Sequence, residues 1–269
     1  MKKSRRHALG QHFLDNPSLL RKIAALVAPD PEETVLEIGA GEGTLTRALA
    51  ERAGRVIAVE KDHRLIPALR ASVPSNVAVI EGDILDMDLD RLIRELNTGP
   101  LTVAGNLPYS ISTPLLFKIL DSRVSFKACF FLLQKEVADR LGAGPGTKAY
   151  APLSILFQNV FVVRREFAVR PGSFRPPPKV DSAFVSLRPR AAPLFREGGD
   201  PGFRSFLRSA FAQRRKTLRN NLEPGWGAAP LVAAWKNLSL EPKVRAEELA
   251  PERLAALYRH LSASIGDRA

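Results

Sequence analysis

The sequence is poor in several residues that would narrow its chemistry. Among 269 residues there is one cysteine, Cys129, with two methionines, two tryptophans and three tyrosines. A lone cysteine closes no internal disulfide, excludes a cysteine-based zinc site, and suits a reducing compartment. No apolar run approaches the ~18 residues of a membrane helix. The N-terminus, Met1–His7, is basic, but no long apolar stretch follows it, which argues against a secretory signal and for the cytoplasm. Acid is also scarce, with 28 Asp and Glu against 40 Lys and Arg and a net charge of +12. Such a balance is silent on fold but favours a polyanionic partner. The length suits one large domain and a smaller one. There are no internal repeats.

Along the chain, short β-rich runs alternate with helical ones. Asn16-Pro17 reads as an N-cap with proline at the first helical position, and Leu19, Leu20, Ile23, Leu26 and Val27 follow at helical spacing. Strands are predicted at Thr34–Ile38, Arg55–Val59, Val77–Ile80, Leu101–Ala104 and Cys129–Leu133. Helices are predicted at Leu45–Arg52, Leu65–Ser72, Leu89–Leu96, Pro114–Leu120 and Pro152–Val160. Phe161–Val169 and Val180–Leu187 read as a closing hairpin pair, and 202–265 as all helical. This alternation predicts an α/β fold: a Rossmann-like parallel sheet with helices on both faces and a small helical C-terminal domain. The expected spans are 1–190 for the sheet domain and 191–269 for the helical one, with Arg188–Pro201 as linker. In such sheets ligands bind beyond the carboxyl ends of the strands. Gly39, Glu60, Asp83 and Asn106 all fall at such ends.

The run Val35-Leu36-Glu37-Ile38-Gly39-Ala40-Gly41-Glu42-Gly43 is a strand feeding a Gly-x-Gly-x-Gly loop. A dinucleotide fingerprint would place a small residue at position 44, where Thr44 stands, so the register differs. Glu37 and Glu42 flank the loop. Carboxylates suit a pyrophosphate badly and a ligand bearing an ammonium and a sulfonium well. Glu60, about 20 residues beyond the glycines, is placed to accept from ribose hydroxyls. Asp83 is placed to accept from an adenine amine.

Asn106-Leu107-Pro108-Tyr109 follows the fourth predicted strand. The exocyclic amine of adenine is a weak nucleophile because its lone pair is delocalised into the ring. Two acceptors on its hydrogens draw the nitrogen toward tetrahedral geometry. The Asn106 side-chain oxygen and the Leu107 carbonyl are the candidates, with Pro108 stiffening the backbone and Tyr109 stacking on the base. Phe174, ahead of Arg175-Pro176-Pro177-Pro178, is a candidate to cover the other face of a flipped base.

These residues resemble the small-subunit ribosomal RNA adenine dimethyltransferases (KsgA type) among the class I methyltransferases. The matching stretches are Leu9–Leu14, Glu37–Gly43, Asn106–Pro114, Gln134–Ala138, Phe174–Ser182 and Gln213–Asn220. The resemblance implies transfer of methyl groups from S-adenosylmethionine, without a metal, to N6 of two adjacent adenosines near the 3′ end of small-subunit rRNA. Each adenosine would receive two methyls, during ribosome biogenesis. It also implies that His12, where the family usually has Asn, and Leu14 contact the cofactor beside Glu37, Gly39, Gly41, Gly43, Glu60, Asp83 and Asn106. The expected partner is small-subunit rRNA or the pre-assembled small subunit, and the expected state is a monomer.

No acid occurs from Pro201 through Leu222, where Arg204, Arg208, Arg214, Arg215, Lys216 and Arg219 are candidates to track phosphates. Lys2, Lys3, Arg5 and Arg6 are a second basic candidate. The alternative reading is a large-subunit rRNA adenine methylase of the macrolide-resistance type. A non-catalytic RNA binder is disfavoured by the intact Asn106–Tyr109 run. A nicotinamide dehydrogenase is disfavoured by Thr44 and the acidic loop.

Overall fold

The computed structural model describes residues 12–96, 99–122 and 126–266, with residues 265 and 266 described by their backbone alone. Lys2, Lys3, Arg5 and Arg6, with Leu9, Gly10 and Gln11, lie outside the described residues. The chain divides into two compact units. One holds the residues up to Ala138 and Val163–Pro189, and the other holds Asp139–Val162 and the chain from Arg190 onward. The expected sheet domain of 1–190 therefore gives up the excursion 139–162.

In the first unit β1 is Phe13–Leu14 and α1 is Pro17–Val27, capped by Asn16, whose side chain accepts from Leu19 N–H at 3.0 Å. Leu20, Ile23, Ala24 and Val27 form the buried stripe of α1, and each large aliphatic so buried contributes roughly 1.5–3 kcal/mol. Then follow β2 (Thr34–Ile38), α2 (Thr44–Ala50), β3 (Arg55–Glu60), α3 (Ile66–Ser72), β4 (Val77–Glu81), α4 (Leu89–Leu96), β5 (Leu101–Asn106), α5 (Tyr109–Asp121) and β6 (Phe126–Gln134). After the excursion come β7 (Phe161–Val169), the two-residue β8 (Phe174–Arg175) and β9 (Ser182–Pro189). The main sheet runs β4-β3-β2-β5-β6-β9-β7. From β4 to β6 it is parallel, and β9 lies antiparallel to β6.

This order carries the main functional consequence of the fold. After β2 the chain adds β3 and β4 on one side, then returns to add β5 and β6 on the other. The reversal opens a crevice between the ends of β2 and β5. The glycine loop after β2 and the Asn106 run after β5 are 67 or so residues apart in sequence and meet there. Their backbones approach closely: a Cβ on Gly105 would lie 2.7 Å from the Ile38 carbonyl oxygen.

Several elements differ from expectation. Helix α5 begins at Tyr109, five residues before Pro114, which sits inside it. An interior proline loses its bond to residue i−4 and crowds that carbonyl, which is why a helix start was expected at Pro114; the chain nevertheless winds on from the Pro108 turn. The pair β1–β8 was not expected at all, because two residues are too few to show a period.

In the second unit α6 (Lys135–Gly142), four residues of which lie beyond Ala138, and α7 (Pro152–Val160) group with α8 (Pro201–Ala210), α9 (Leu218–Trp226), α10 (Ala228–Asn237) and α11 (Pro251–Gly266). Phe203, Phe206, Leu207 and Ala210 of α8 are buried. Rings of Phe195, Phe203, Phe206, Trp226 and Tyr258 pack around one another there. The Tyr258 hydroxyl donates to Asp200 Oδ2 at 2.6 Å, which satisfies its one polar atom inside that cluster.

Candidate active site

A cavity of about 230 Å³ opens at the crevice between β2 and β5. It brings together His12, Leu14, Glu37, Gly39, Gly41, Glu60, Asp83, Asn106, Leu107, Pro108, Tyr109 and Phe174 from the residues named above. Two residues of the glycine loop stand elsewhere. Gly43 (φ +77°) is the N-cap of α2, and a Cβ there would lie 2.7 Å from Leu69 Cδ1, so its glycine serves the turn. Glu42 is exposed and off the cavity wall. Phe13, Lys61 and Ile84 also line the cavity. They adjoin residues already singled out, but nothing in their type or spacing marks them.

Glu37 is 1% exposed, and its Oε2 has no hydrogen-bond partner. Burial pushes its carboxyl up to about 8; the neighbouring Thr46 hydroxyl opposes this, the Glu60 charge adds to it, and Arg47 opposes it. Thr46 Oγ1 is itself buried and unpartnered, so the two stand close without forming a bond. A second buried acid, Glu33, shows what a satisfied one looks like: Thr102 Oγ1 donates to Oε1 and Lys127 Nζ to Oε2, each at 2.5 Å. A buried carboxyl oxygen with no partner costs on the order of 1–3 kcal/mol until something meets it, and Glu37 lines the cavity. A cationic ligand fits that requirement.

Glu60 is 4% exposed, and its oxygens accept from Gly41 N–H and Asp62 N–H, both at 2.7 Å. This pins the loop over the sheet, and each oxygen keeps a second lone pair. Asp83 Oδ1 accepts from Leu85 N–H at 2.9 Å, and Oδ2 pairs with Lys61 Nζ at 2.5 Å. Burial alone would raise the Asp83 carboxyl. The Lys61 bond, the Leu85 N–H and the charges of Lys61 and Lys118 outweigh it and hold the group below its ordinary value. Glu37 and Asp83, which line the same cavity, are thus driven in opposite directions.

On the β5 side, Asn106 Nδ2 donates to the His12 carbonyl at 2.7 Å. Only the amide nitrogen can face a carbonyl, so Oδ1 is the end left as an acceptor. The Pro108 carbonyl is taken by Ile111 N–H at 3.0 Å and Ser112 Oγ at 3.2 Å, which fixes the turn. The Tyr109 hydroxyl bonds Ser182 Oγ at 3.0 Å, and burial raises it above its ordinary value although Ser182 opposes this. Phe174 is 5% exposed and belongs to the core cluster while one part of it lines the cavity. It both anchors the arm and faces the site.

A doubly wound sheet with an acidic glycine loop at its switch point and an Asn-Leu-Pro-Tyr turn opposite defines a class I methyltransferase. Within that class, the chain belongs to the ribosomal RNA adenine dimethylase family, whose model, "Ribosomal RNA adenine dimethylase", matches residues 2–262. The chain is 48% identical over 266 residues to a Ribosomal RNA small subunit methyltransferase A of Geobacter sulfurreducens, covering 97% of this chain and 96% of the relative. A dimethyladenosine transferase from Plasmodium falciparum superposes with a TM-score of 0.74 at 27% identity, covering 94% of this chain and 98% of that one. The 23S rRNA methyltransferase ErmE superposes with a TM-score of 0.70 at 26% identity, covering 93% and 99%.

Proposed function

We propose that the chain transfers methyl groups from S-adenosylmethionine to N6 of two adjacent adenosines near the 3′ end of small-subunit rRNA, two to each, in cytoplasmic ribosome biogenesis. The observation that carries the chemistry is the Asn106 amide, turned by the His12 carbonyl so that Oδ1 is its acceptor at the crevice. The choice of small-subunit RNA over the macrolide-resistance alternative rests on 48% identity to the small-subunit enzyme against 26% to the 23S enzyme.

The cofactor, when bound, supplies an electrophilic methyl group on a sulfonium. Glu37, with an unpartnered buried oxygen, suits the cationic end of such a ligand. Glu60 and Asp83 offer acceptors to its sugar and base, Gly39 lets the ligand come close to the backbone, and Gly41 and Leu14 line the same cavity. On the substrate side, Asn106 Oδ1 and the Leu107 carbonyl accept from the two amine hydrogens and expose the nitrogen lone pair. Tyr109 and Phe174 hold the flipped base between them, each stack contributing roughly 1–3 kcal/mol. The residues work by orientation and fixed dipoles, with little demand for a strong base.

In the helical unit the exposed side chains of Arg208, Arg215 and Lys216 are the ones free to track phosphates. Arg214 donates to the Lys148 and Thr147 carbonyls, while Arg204 and Arg219 are half-buried. These three are the weaker members of the expected set.

Incubation with labelled S-adenosylmethionine and unmethylated small subunits should place the label on two adjacent dimethyladenosines. Label confined to large-subunit RNA would replace this reading with the resistance-type one. Asn106→Ala should abolish transfer while RNA affinity changes by less than about twofold, since it removes an interaction that matters in the transition state. Full activity of that variant would remove the mechanism.

A further inference from the structure

β3 and β4 are parallel neighbours, with Glu60 opposite Glu81 at their carboxyl ends. Lys61 is the first residue beyond β3, and Asp83 is the second beyond β4. Lys61 Nζ meets Asp83 Oδ2 at 2.5 Å, so the Lys61 side chain reaches from one strand end to the next. Adjacent strands lie about 4.8 Å apart, a gap that the four-carbon stem of lysine spans. Lys61, Glu60, Gly82, Asp83 and Ile84 all line the cavity. The Lys61 side chain is 64% exposed and that of Asp83 15%, which puts the stem at the rim and the carboxylate further in.

Both ends of this bridge are fixed. At the β3 end, Asp62 N–H donates to Glu60 Oε1 at 2.7 Å, and Asp62 Oδ1 accepts from Arg64 N–H at 3.1 Å and Arg64 Nε at 2.7 Å. At the β4 end, Asp83 Oδ1 accepts from Leu85 N–H, and the Leu85 carbonyl accepts from Lys118 Nζ of α5 at 2.9 Å. Lys118 adds a positive charge near Asp83, and Asp86 a negative one near Lys61. A lysine held by its head presents its methylenes as apolar surface while the ammonium stays wet.

We propose that Lys61 is a positioning residue for the cofactor: its stem, moored by the ammonium to Asp83, straps the adenosine end into the cavity between Glu60 and Asp83. The proposal rests on the reading of this cavity as an S-adenosylmethionine site, with the sugar at Glu60 and the base at Asp83. The stem supplies contact with the adenosine, and the ion pair keeps the stem across the mouth. Salt separates the two contributions, because an exposed pair is screened and an apolar contact is not.

The dissociation rate of labelled S-adenosylhomocysteine from the whole chain, chased with excess unlabelled ligand, measures the strap. From about 50 to 500 mM salt the wild-type rate should rise by about three- to fivefold, the worth of an exposed ion pair. Lys61→Met keeps an unbranched stem without the ammonium. At low salt it should release the ligand about three- to fivefold faster than the wild type, and it should respond less to salt. Lys61→Ala also removes the stem and should release it about tenfold faster or more at both salt concentrations. The Kd for 5′-methylthioadenosine, which carries the adenosine without the amino-acid end, should rise by a similar factor in Lys61→Ala. A wild-type rate that ignores salt, or a Met variant that matches the wild type, overturns the mooring on Asp83 and the proposal with it. An Ala variant within about twofold of the wild type, or one that keeps its affinity for 5′-methylthioadenosine, overturns the strap. A wild-type protein that binds neither ligand overturns the cofactor reading together with this inference. Wild-type binding of both ligands, unaffected by either substitution, overturns this inference alone.

Discussion

Glu37 and Glu33 are both buried acids in or beside β2, and what distinguishes them is partners. Glu33 is paired on both oxygens, whereas Glu37, which lines the cavity, is left with a buried, unpartnered oxygen. The Glu37 carboxyl holds its proton to about 8 in the folded chain against an ordinary value of 4.5. Between those values the folded state binds more protons than the unfolded one. The stability this group contributes is therefore full below the lower value and is lost as the pH rises through the upper one. Glu37→Gln should flatten the fall of Tm over that pH interval in the ligand-free protein, measured by thermal melts across the range. The same variant should weaken S-adenosylmethionine by about tenfold or more in titration calorimetry, the worth of a hydrogen bond to a charged group. An unchanged affinity would remove Glu37 from the cofactor site.

Short elements carry more of this site than long ones. The glycine loop is held by Glu60 on one side and by the ring of Phe13 on the other, so β1 lies over the loop it helps to enclose. Gly41 has φ +59°, and a Cβ there would lie 2.7 Å from Phe13 Cε1. Alanine at that φ costs ~1–2 kcal/mol before the clash is counted. Gly41→Ala should lower Tm by about 2–8 °C and displace β1, with loss of cofactor binding as the second readout. Gly39 makes a useful contrast. Its φ is +77°, yet the nearest atom to an added Cβ is Pro108 Cδ at 3.9 Å, so alanine there meets backbone strain without a clash. A larger effect at Gly39 than at Gly41 would refute the packing argument.

At the scale of the whole molecule, +12 of net charge is a statement about partners. The helical unit concentrates part of it where acid is absent from Pro201 through Leu222. Each exposed cation that neutralises a phosphate should add about 1 to the slope of log affinity against log salt. The triple variant Arg208→Ala, Arg215→Ala and Lys216→Ala should therefore bind small subunits with a slope lower by about 3, measured by filter binding over a salt series. A slope equal to that of the wild type would move the RNA surface elsewhere.

What the sequence by itself determined was local or periodic. The strand Thr34–Ile38, the turn chemistry of Gly39–Gly43, the run of acids and Asn106 at successive strand ends, and the amphipathic face of α8 are all written in neighbouring residues. Periodicity and turn residues therefore reach them. The tertiary structure alone decided which of those residues share a cavity. It assigned Gly43 to a helix cap and turned Glu42 to solvent. It moved residues 139–162 to the helical unit and joined β1 to β8 across 160 residues of chain. None of these has a sequence signature, because each depends on strand order and on close approach between distant backbones, which the spacing of side chains along one segment does not encode.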